Sequence, residues 1–362
     1  MGELKKNKGQ RVEWVDVAKC IGILAIVYGH AVQGGATNRY VYSFHVPLFF
    51  LLLGVVFGIT RAERTPLRAF VKRKAYTLLV PYYCFAIIST GMIFVASRFV
   101  PMTDEDIFSN LPRLIFNVII GNCDANRPLW FLPCAFVISL MAYGVIRLSN
   151  CMKKRTHKLW VYVAFVAVGC VALYVVETFT TVKFLPYKLD GAVFMIPFFL
   201  AGHALQEFSC FEKIARWPLY IRILVTAALL LLGGAVGLLN GRSIYLGNYY
   251  DNVWAMYLAA LATGIGICLL SQMLPTWSIS TYVGKHTLGI VLMHKFPVLV
   301  FQVVVPFTAP WLAQDSMPMG LLVTVISVAL CCVVELGIIR ICPFMLGATF
   351  KKKTTCQKGV QG

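Results

Sequence analysis

Ten apolar stretches, each close to the length that crosses about 30 Å of hydrocarbon, run through this chain. They lie at about 15–33, 42–59, 75–97, 129–146, 159–176, 191–205, 221–239, 253–274, 287–305 and 320–341. Backbone inside lipid must satisfy its own N–H and C=O groups, so such stretches fold as helices. The expected fold class is therefore an all-α polytopic membrane protein with about ten transmembrane helices. Composition excludes a soluble globular domain: the 362 residues are 59% hydrophobic and 13% charged, with a mean hydropathy of +0.75. The sixth stretch is short and begins nearer Pro186, and the ninth carries His294 and Lys295 within it.

Orientation follows from the cations, because cytoplasmic loops keep an excess of Lys and Arg. With the N-terminus inside, the cytoplasmic segments hold Lys5, Lys6, Lys8 and Arg11, then Arg61, Arg64, Arg68, Lys72, Arg73 and Lys74, then Arg147, Lys153, Lys154, Arg155 and Lys158. The alternation continues to Lys351–Lys353, so both termini are expected in the cytoplasm. The net charge of +18 is then a matter of topology and anionic lipid headgroups. A nucleic-acid partner is not required, and a basic inner face also suits a polyanionic cytosolic substrate. The twelve cysteines show no Cys-x-x-Cys spacing, so neither a disulfide framework nor a metal site is expected. No linker or repeat divides the chain, which reads as one integral domain over 1–362 with tails at about 1–13 and 345–362. The basic N-terminus and first apolar run are expected to stay in place as a retained first span. The longest outer loop, about 98–127, holds Asp104, Glu105, Asp106 and an apolar piece at 111–120 suited to the membrane surface.

The first span, from Trp14 to His30, carries Asp16, Lys19 and His30 in a stretch otherwise fit for lipid. Ionisable groups at membrane depth are costly and tend to be functional. Eleven residues separate Lys19 from His30, which on a helix returns within about 20° of the starting direction with a rise of about 16 Å. Asp16, one turn before Lys19, shares that face. The helix thus presents an acid, a cation and an imidazole as a polar track into the bilayer, with His30 placed as a general base for a hydroxyl attacking an activated acyl group. A histidine hydrogen-bonded between helices is the structural alternative. His45 opens the second span near the outer end of the first, where it either joins His30 in one pocket or caps a helix at the interface. Lys72, Arg73 and Lys74 stand at the inner mouth of the third span, where cations reach lipid phosphate or a ligand phosphate.

In this order the clusters resemble the membrane acyltransferase-3 family, in the branch of fucose 4-O-acetylase and related O-acetyltransferases. The first-span Lys19, ten residues and His30 match its Arg or Lys to His spacing, preceded by Asp16. The Phe-His-x-Pro-Leu-Phe-Phe pattern runs from Phe44 to Gly54, and a basic run precedes Leu-Leu-x-Pro-Tyr ending at Tyr82. Further matches are Leu129-Trp-Phe-Leu132, Leu189-Asp-Gly, Pro197 to Gly202, and Leu288 to His294. Two departures stand out. The family's pair of Arg three apart is replaced by Arg73 and Tyr76, and the first-span cation is Lys19, which lacks the fork of Arg.

The resemblance implies an integral membrane enzyme that carries an acyl group, usually acetyl, from cytosolic acyl-CoA to a sugar hydroxyl. It implies acetyl-CoA or another acyl-CoA as co-substrate with no permanently bound cofactor, a saccharide or lipid-linked saccharide acceptor, and a bacterial inner-membrane location. The catalytic candidates are His30 and Asp16; Lys19, Lys72, Arg73 and Lys74 are candidates for acyl-CoA. The acceptor candidates are His45, Trp130, Asp190 and His294, weighed against an N-cap role for Asp190 and an aromatic-belt role for Trp130. His157, His203 and His286 read as interfacial. A transporter of an acylated saccharide, or a sensor that binds acyl-CoA, are the competing functions.

Overall fold

The computed structural model describes residues 12–32, 34–98, 110–179, 185–241, 243–308 and 317–348. Among them, nine helices are long and apolar enough to cross a membrane, or ten when a bent pair is counted as one span. The expected all-α class holds. The two-residue strands β1 (Ser243–Ile244) and β2 (Tyr249–Tyr250) form an antiparallel hairpin in which Ser243 faces Tyr250.

Helices α1 (Glu13–Ala31) and α2 (Gly35–Thr60) form the first hairpin. The reversal uses Gly34 and Gly35 at φ 85 and 78, a region open to glycine at little cost. Asn38 secures it, its amide donating to the Gly29 carbonyl at 3.0 Å and to that of Val32 at 2.6 Å, two groups that the end of α1 leaves unpaired. Helix α3 (Leu67–Lys74) continues through a π-helical turn, Ala75–Leu79, into α4 (Val80–Ala96). Pro81 has no N–H for the carbonyl four residues back and its ring crowds that group, which accounts for the widened turn before it. The third span consequently starts at Leu67, earlier than its apolar run.

Helix α5 (Leu111–Ile119) buries Leu114 and Val118 and exposes Ile115, Phe116 and Ile119, as expected of a segment lying on a surface. A 3-10 stretch, Asp124–Trp130, leads into α6 (Phe131–Ser149), followed by α7 (Arg155–Phe179), α8 (Leu189–Glu207) and the short α9 (Cys210–Ile214). Next come α10 (Leu219–Leu239), the hairpin, α11 (Val253–Met273), α12 (Ser278–Lys285), α13 (Thr287–Met293), α14 (Lys295–Thr308) and α15 (Met317–Ile341).

The centre of the bundle is the contact of α2 with α8. A Cβ on Gly54 would lie 1.9 Å from the Phe199 carbonyl oxygen, and one on Gly202 would lie 2.0 Å from that of Leu51. Only glycine lets the two backbones come this close, the usual route to tight helix association in lipid. Phe50, Leu48, Leu52, Phe198 and Phe199 fill the space around the contact.

The ninth span is broken, α12 meeting the α13–α14 arm at 61°. His286 marks the joint, with Nδ1 3.0 Å from Oε1 of Glu335 on α15, and it stacks on Tyr282 with ring centroids 4.3 Å apart. Glu335 occupies the room that a side chain on Gly289 would need, since a Cβ there would lie 2.4 Å from its carboxyl group. His286 is therefore a structural joint. His203 is buried, with Nδ1 3.1 Å from the Tyr162 hydroxyl, whereas His157 is exposed. The turn Pro343–Leu346 buries Leu346, and the Tyr76 hydroxyl donates to the Ala348 carbonyl at 3.1 Å, so part of the expected C-terminal tail is docked. Lys5, Lys6, Lys8, Arg11, Asp104, Glu105, Asp106 and Lys351–Lys353 lie outside the described residues.

Candidate active site

Three of the candidate histidines meet at one end of the bundle. His30 occupies the last turn of α1, and its ring centroid is 5.2 Å from that of His294, at the break between α13 and α14. Tyr42 lies 6.3 Å from His30 and 4.7 Å from His45, and His45 is 5.9 Å from Tyr245 in the hairpin. A continuous file of rings thus runs from the broken span, past the end of α1 and across α2.

Hydrogen bonding fixes two of these imidazoles. His45 places Nδ1 2.8 Å from the Val41 carbonyl, and His294 places Nδ1 2.9 Å from that of Ile290 and 3.0 Å from that of Val291. A carbonyl oxygen only accepts, so Nδ1 carries the proton in both rings and the neutral form keeps its lone pair on Nε2. His294 is fully buried, and its Nε2 has no hydrogen-bond partner among the described residues. Buried polar atoms of this kind call for a functional explanation. His45, 3% exposed, lies ten residues inside α2 because that helix begins at Gly35, so it is a core residue and not an interfacial cap.

The supporting contacts come from distant segments. Gln302 on α14 donates its amide to the His30 carbonyl at 2.8 Å, tying the two helix ends together. Asn126 donates to the Leu292 carbonyl at 3.0 Å and to the Ser89 hydroxyl at 3.3 Å, joining the 3-10 stretch to the broken span just before His294. Lys295 directly follows His294 and Arg127 directly follows Asn126, so both segments that meet here carry a cation in sequence.

At the far end of α1, Asp16 is 2% exposed and Lys19 a quarter exposed, with Lys19 Nζ 3.8 Å from Asp16 Oδ1. Fourteen residues of helix, about 21 Å, separate Asp16 from His30, so the carboxylate cannot orient that imidazole by contact. Asp16 and Lys19 form one site and the histidines another, linked along a single helix. Lys72, Arg73 and Lys74 close α3; Arg73 Cζ and Lys74 Nζ lie 6.0 and 5.8 Å from the Phe70 ring centroid, within cation–π range.

Trp130 is buried in the core beside Phe131, so it belongs to no exposed aromatic belt. Asp190 is not an N-cap either. The cap position of α8 is Lys188, at φ 55 after Tyr187 at φ 56, and this left-handed pair folds Lys188 back so that its ammonium bonds Asp190. Asn248 donates to the same carboxylate, while Asp190 Oδ1 and the hydroxyls of Tyr245 and Tyr250 are buried without partners among the described residues. Burial pushes both tyrosine hydroxyls above the usual phenol range, so they remain protonated donors.

Tyr42, Tyr245, Asn248, Tyr250, Asn126 and Gln302 are the site residues that the sequence did not disclose. Each is an ordinary tyrosine or amide in the sequence, distinguished only by the partners that folding brings to it. Neither a curated protein nor a solved structure matches the chain. The sequence does match the acyltransferase domain model of the acyltransferase-3 family over residues 12–336, nearly its whole length and every element of the two sites. The chain belongs to this family of membrane acyltransferases.

Proposed function

We propose that the protein moves an acyl group, acetyl in the simplest case, from acyl-CoA on the basic face to a hydroxyl of a cell-envelope saccharide, as a multi-pass protein of a bacterial inner membrane. The observation that carries this reading is the pairing of His30 with His294 at the opposite end of the helix that bears Asp16 and Lys19. The basic end supplies cations for the donor's phosphates, and the histidine end supplies a base.

In this reading the acceptor hydroxyl gives its proton to His30 as its oxygen attacks the thioester carbonyl. A C–O bond forms and the C–S bond breaks. The departing thiolate takes a proton, which the imidazolium can return. His294, held with Nε2 unpaired, hydrogen-bonds the acceptor or shares the proton. His45, Trp130 and Asp190, with the hairpin tyrosines, shape the acceptor side. Transfer is direct, so donor alone leaves no acyl group on the protein.

The test is release of free CoA by the purified protein given acetyl-CoA and candidate envelope saccharides. Acceptor-dependent release is expected; absence of release with acetyl-CoA and with longer acyl-CoAs would overturn the donor assignment. A stable acyl adduct on His30 formed without acceptor would replace direct transfer by a covalent route.

A further inference from the structure

Where α2, α6, α7 and α8 end on the basic face, they enclose a cavity of about 810 Å³ that takes no part in the acyl-transfer scheme. Its size suits a small-molecule site. The wall carries Arg61, Arg64, Arg147 and Lys158 against Glu63 and Glu207, four cations to two carboxylates. Lys158 is committed, its ammonium donating to Glu207 at 2.6 Å and to the Asn150 side-chain oxygen at 2.9 Å, and Arg64 Nε lies 4.0 Å from Glu63. Arg61 and Arg147 pair with no carboxylate among the described residues.

The Arg147 guanidinium is positioned by its neighbours. Arg147 donates to the Tyr143 hydroxyl at 2.7 Å, and that hydroxyl donates to the Thr65 carbonyl at 2.8 Å, a relay that aims the arginine along the cavity wall. Arg61 lines the same cavity just after α2, at φ 48, a left-handed conformation that residues with a Cβ seldom adopt. The cavity also adjoins the basic strip of α3, because Tyr143 stacks on Phe70 at 4.7 Å, and Phe70 is the ring flanked by Arg73 and Lys74.

We propose that this cavity is a phosphate-binding site in which Arg61 and Arg147 grip a phosphate ester, mono- or diester, or a diphosphate. The planar fork of a guanidinium matches two phosphoryl oxygens, and two guanidiniums with no carboxylate partner among the described residues supply the charge such a group needs, Arg147 through the N–H groups that Tyr143 leaves over. The phosphate has two sources: the nucleotide-phosphate end of the acyl donor, which rests on the function proposed above, or the headgroup of an anionic phospholipid, which does not.

Cys151 lines the cavity and is exposed, so it reports occupancy directly. The full-length purified protein is treated with a maleimide in neutral detergent at fixed ionic strength, and labelling of Cys151 is followed by mass spectrometry with Cys342, outside the cavity, as reference. The probes are CoA, inorganic pyrophosphate, and mixed micelles of phosphatidylglycerol or phosphatidylcholine. We expect Cys151 labelling to slow about five-fold or more with a phosphate probe, Cys342 to be unaffected, and the protection to vanish in the double variant Arg61→Gln, Arg147→Gln. Both positions are exposed, so the variant should fold; Arg147→Lys, which keeps the charge and loses the fork, should show intermediate protection. Protection by CoA and pyrophosphate assigns the donor, whereas protection by phosphatidylglycerol alone assigns the headgroup. Lack of protection by every probe, equal protection by potassium chloride, or protection that survives the double variant would overturn the site. Pyrophosphate protection in a protein that never releases CoA would keep this site and sink the donor reading instead.

Discussion

Helices α2 and α7 are both long apolar spans, yet 72% of the apolar window of α2 is buried inside the protein and only 11% of that of α7. Helix α10, at 17%, resembles α7. The outer pair faces lipid through residues such as Val168, Tyr174, Leu224 and Leu231. By contrast, the inner helices α1 and α2 carry Asp16, Lys19, His30 and His45. Apolarity alone puts a helix in the membrane. Polar residues and glycines decide which helices form its centre, because a charge or an imidazole needs protein partners at that depth.

The comparison is broken most forcefully at His30. General-base assistance is typically worth about 10²–10⁴-fold in rate. His30→Ala should lower acyl transfer by that factor while thermal unfolding of the purified protein stays near that of the parent; a rate within a few-fold of the parent would return His30 to a packing role. Next in size is the α2–α8 contact. Gly54→Ala or Gly202→Ala must push two backbones apart, and overpacking costs typically about 1–3 kcal/mol or more. The yield of folded protein and its unfolding temperature should both fall, whereas Gly91→Ala and Gly144→Ala, where an added Cβ meets nothing within 4 Å, should leave both unchanged.

Lys19→Ala tests whether the basic end of α1 serves the donor. A charge-assisted hydrogen bond is worth about 1.5–3 kcal/mol, equivalent to about ten-fold or more in KM for acyl-CoA, with a smaller effect on kcat. Replacing Lys72, Arg73 and Lys74 together by Ala should raise the same KM and spare short thioesters that lack the nucleotide; equal effects on both donors would detach the strip from phosphate binding. The smallest effect is expected on the lipid-facing helices. Val168→Ala or Leu231→Ala should shift stability by no more than about 0.5 kcal/mol, and a larger loss would mean that α7 or α10 has a protein partner.

Much of this division was legible in the sequence. The spacing of Asp16, Lys19 and His30 settles their shared face, because within one helix position follows from periodicity, and the pair at 3.8 Å follows suit. Length and apolarity likewise located the spans. The meeting of His30 with His294 is different: it depends on how α1, α2 and a broken helix more than 250 residues away pack together, which no local pattern encodes. The N-cap role weighed for Asp190 fails because two consecutive left-handed residues, Tyr187 and Lys188, reverse the chain ahead of α8. Neither is a glycine or an asparagine, so nothing in the sequence announces the reversal. The partners of His203 and His286 are equally hidden from sequence, because Tyr162 and Glu335 come from other helices.

The joint at His286 gives the histidine end of the site a mechanical dependence on a point far from it. His294 stands eight residues beyond the joint, about 12 Å of arm, so a tilt of about 10° there would swing the imidazole by about 2 Å. Misplacement by about 1 Å is enough to cost a reaction about 100-fold. The wedge of Glu335 against Gly289 therefore works as the stop of a lever. A change at that stop acts on the distance between the two imidazoles without touching either, against the hydrogen bonds of Asn126 and Gln302 that hold the arm in place.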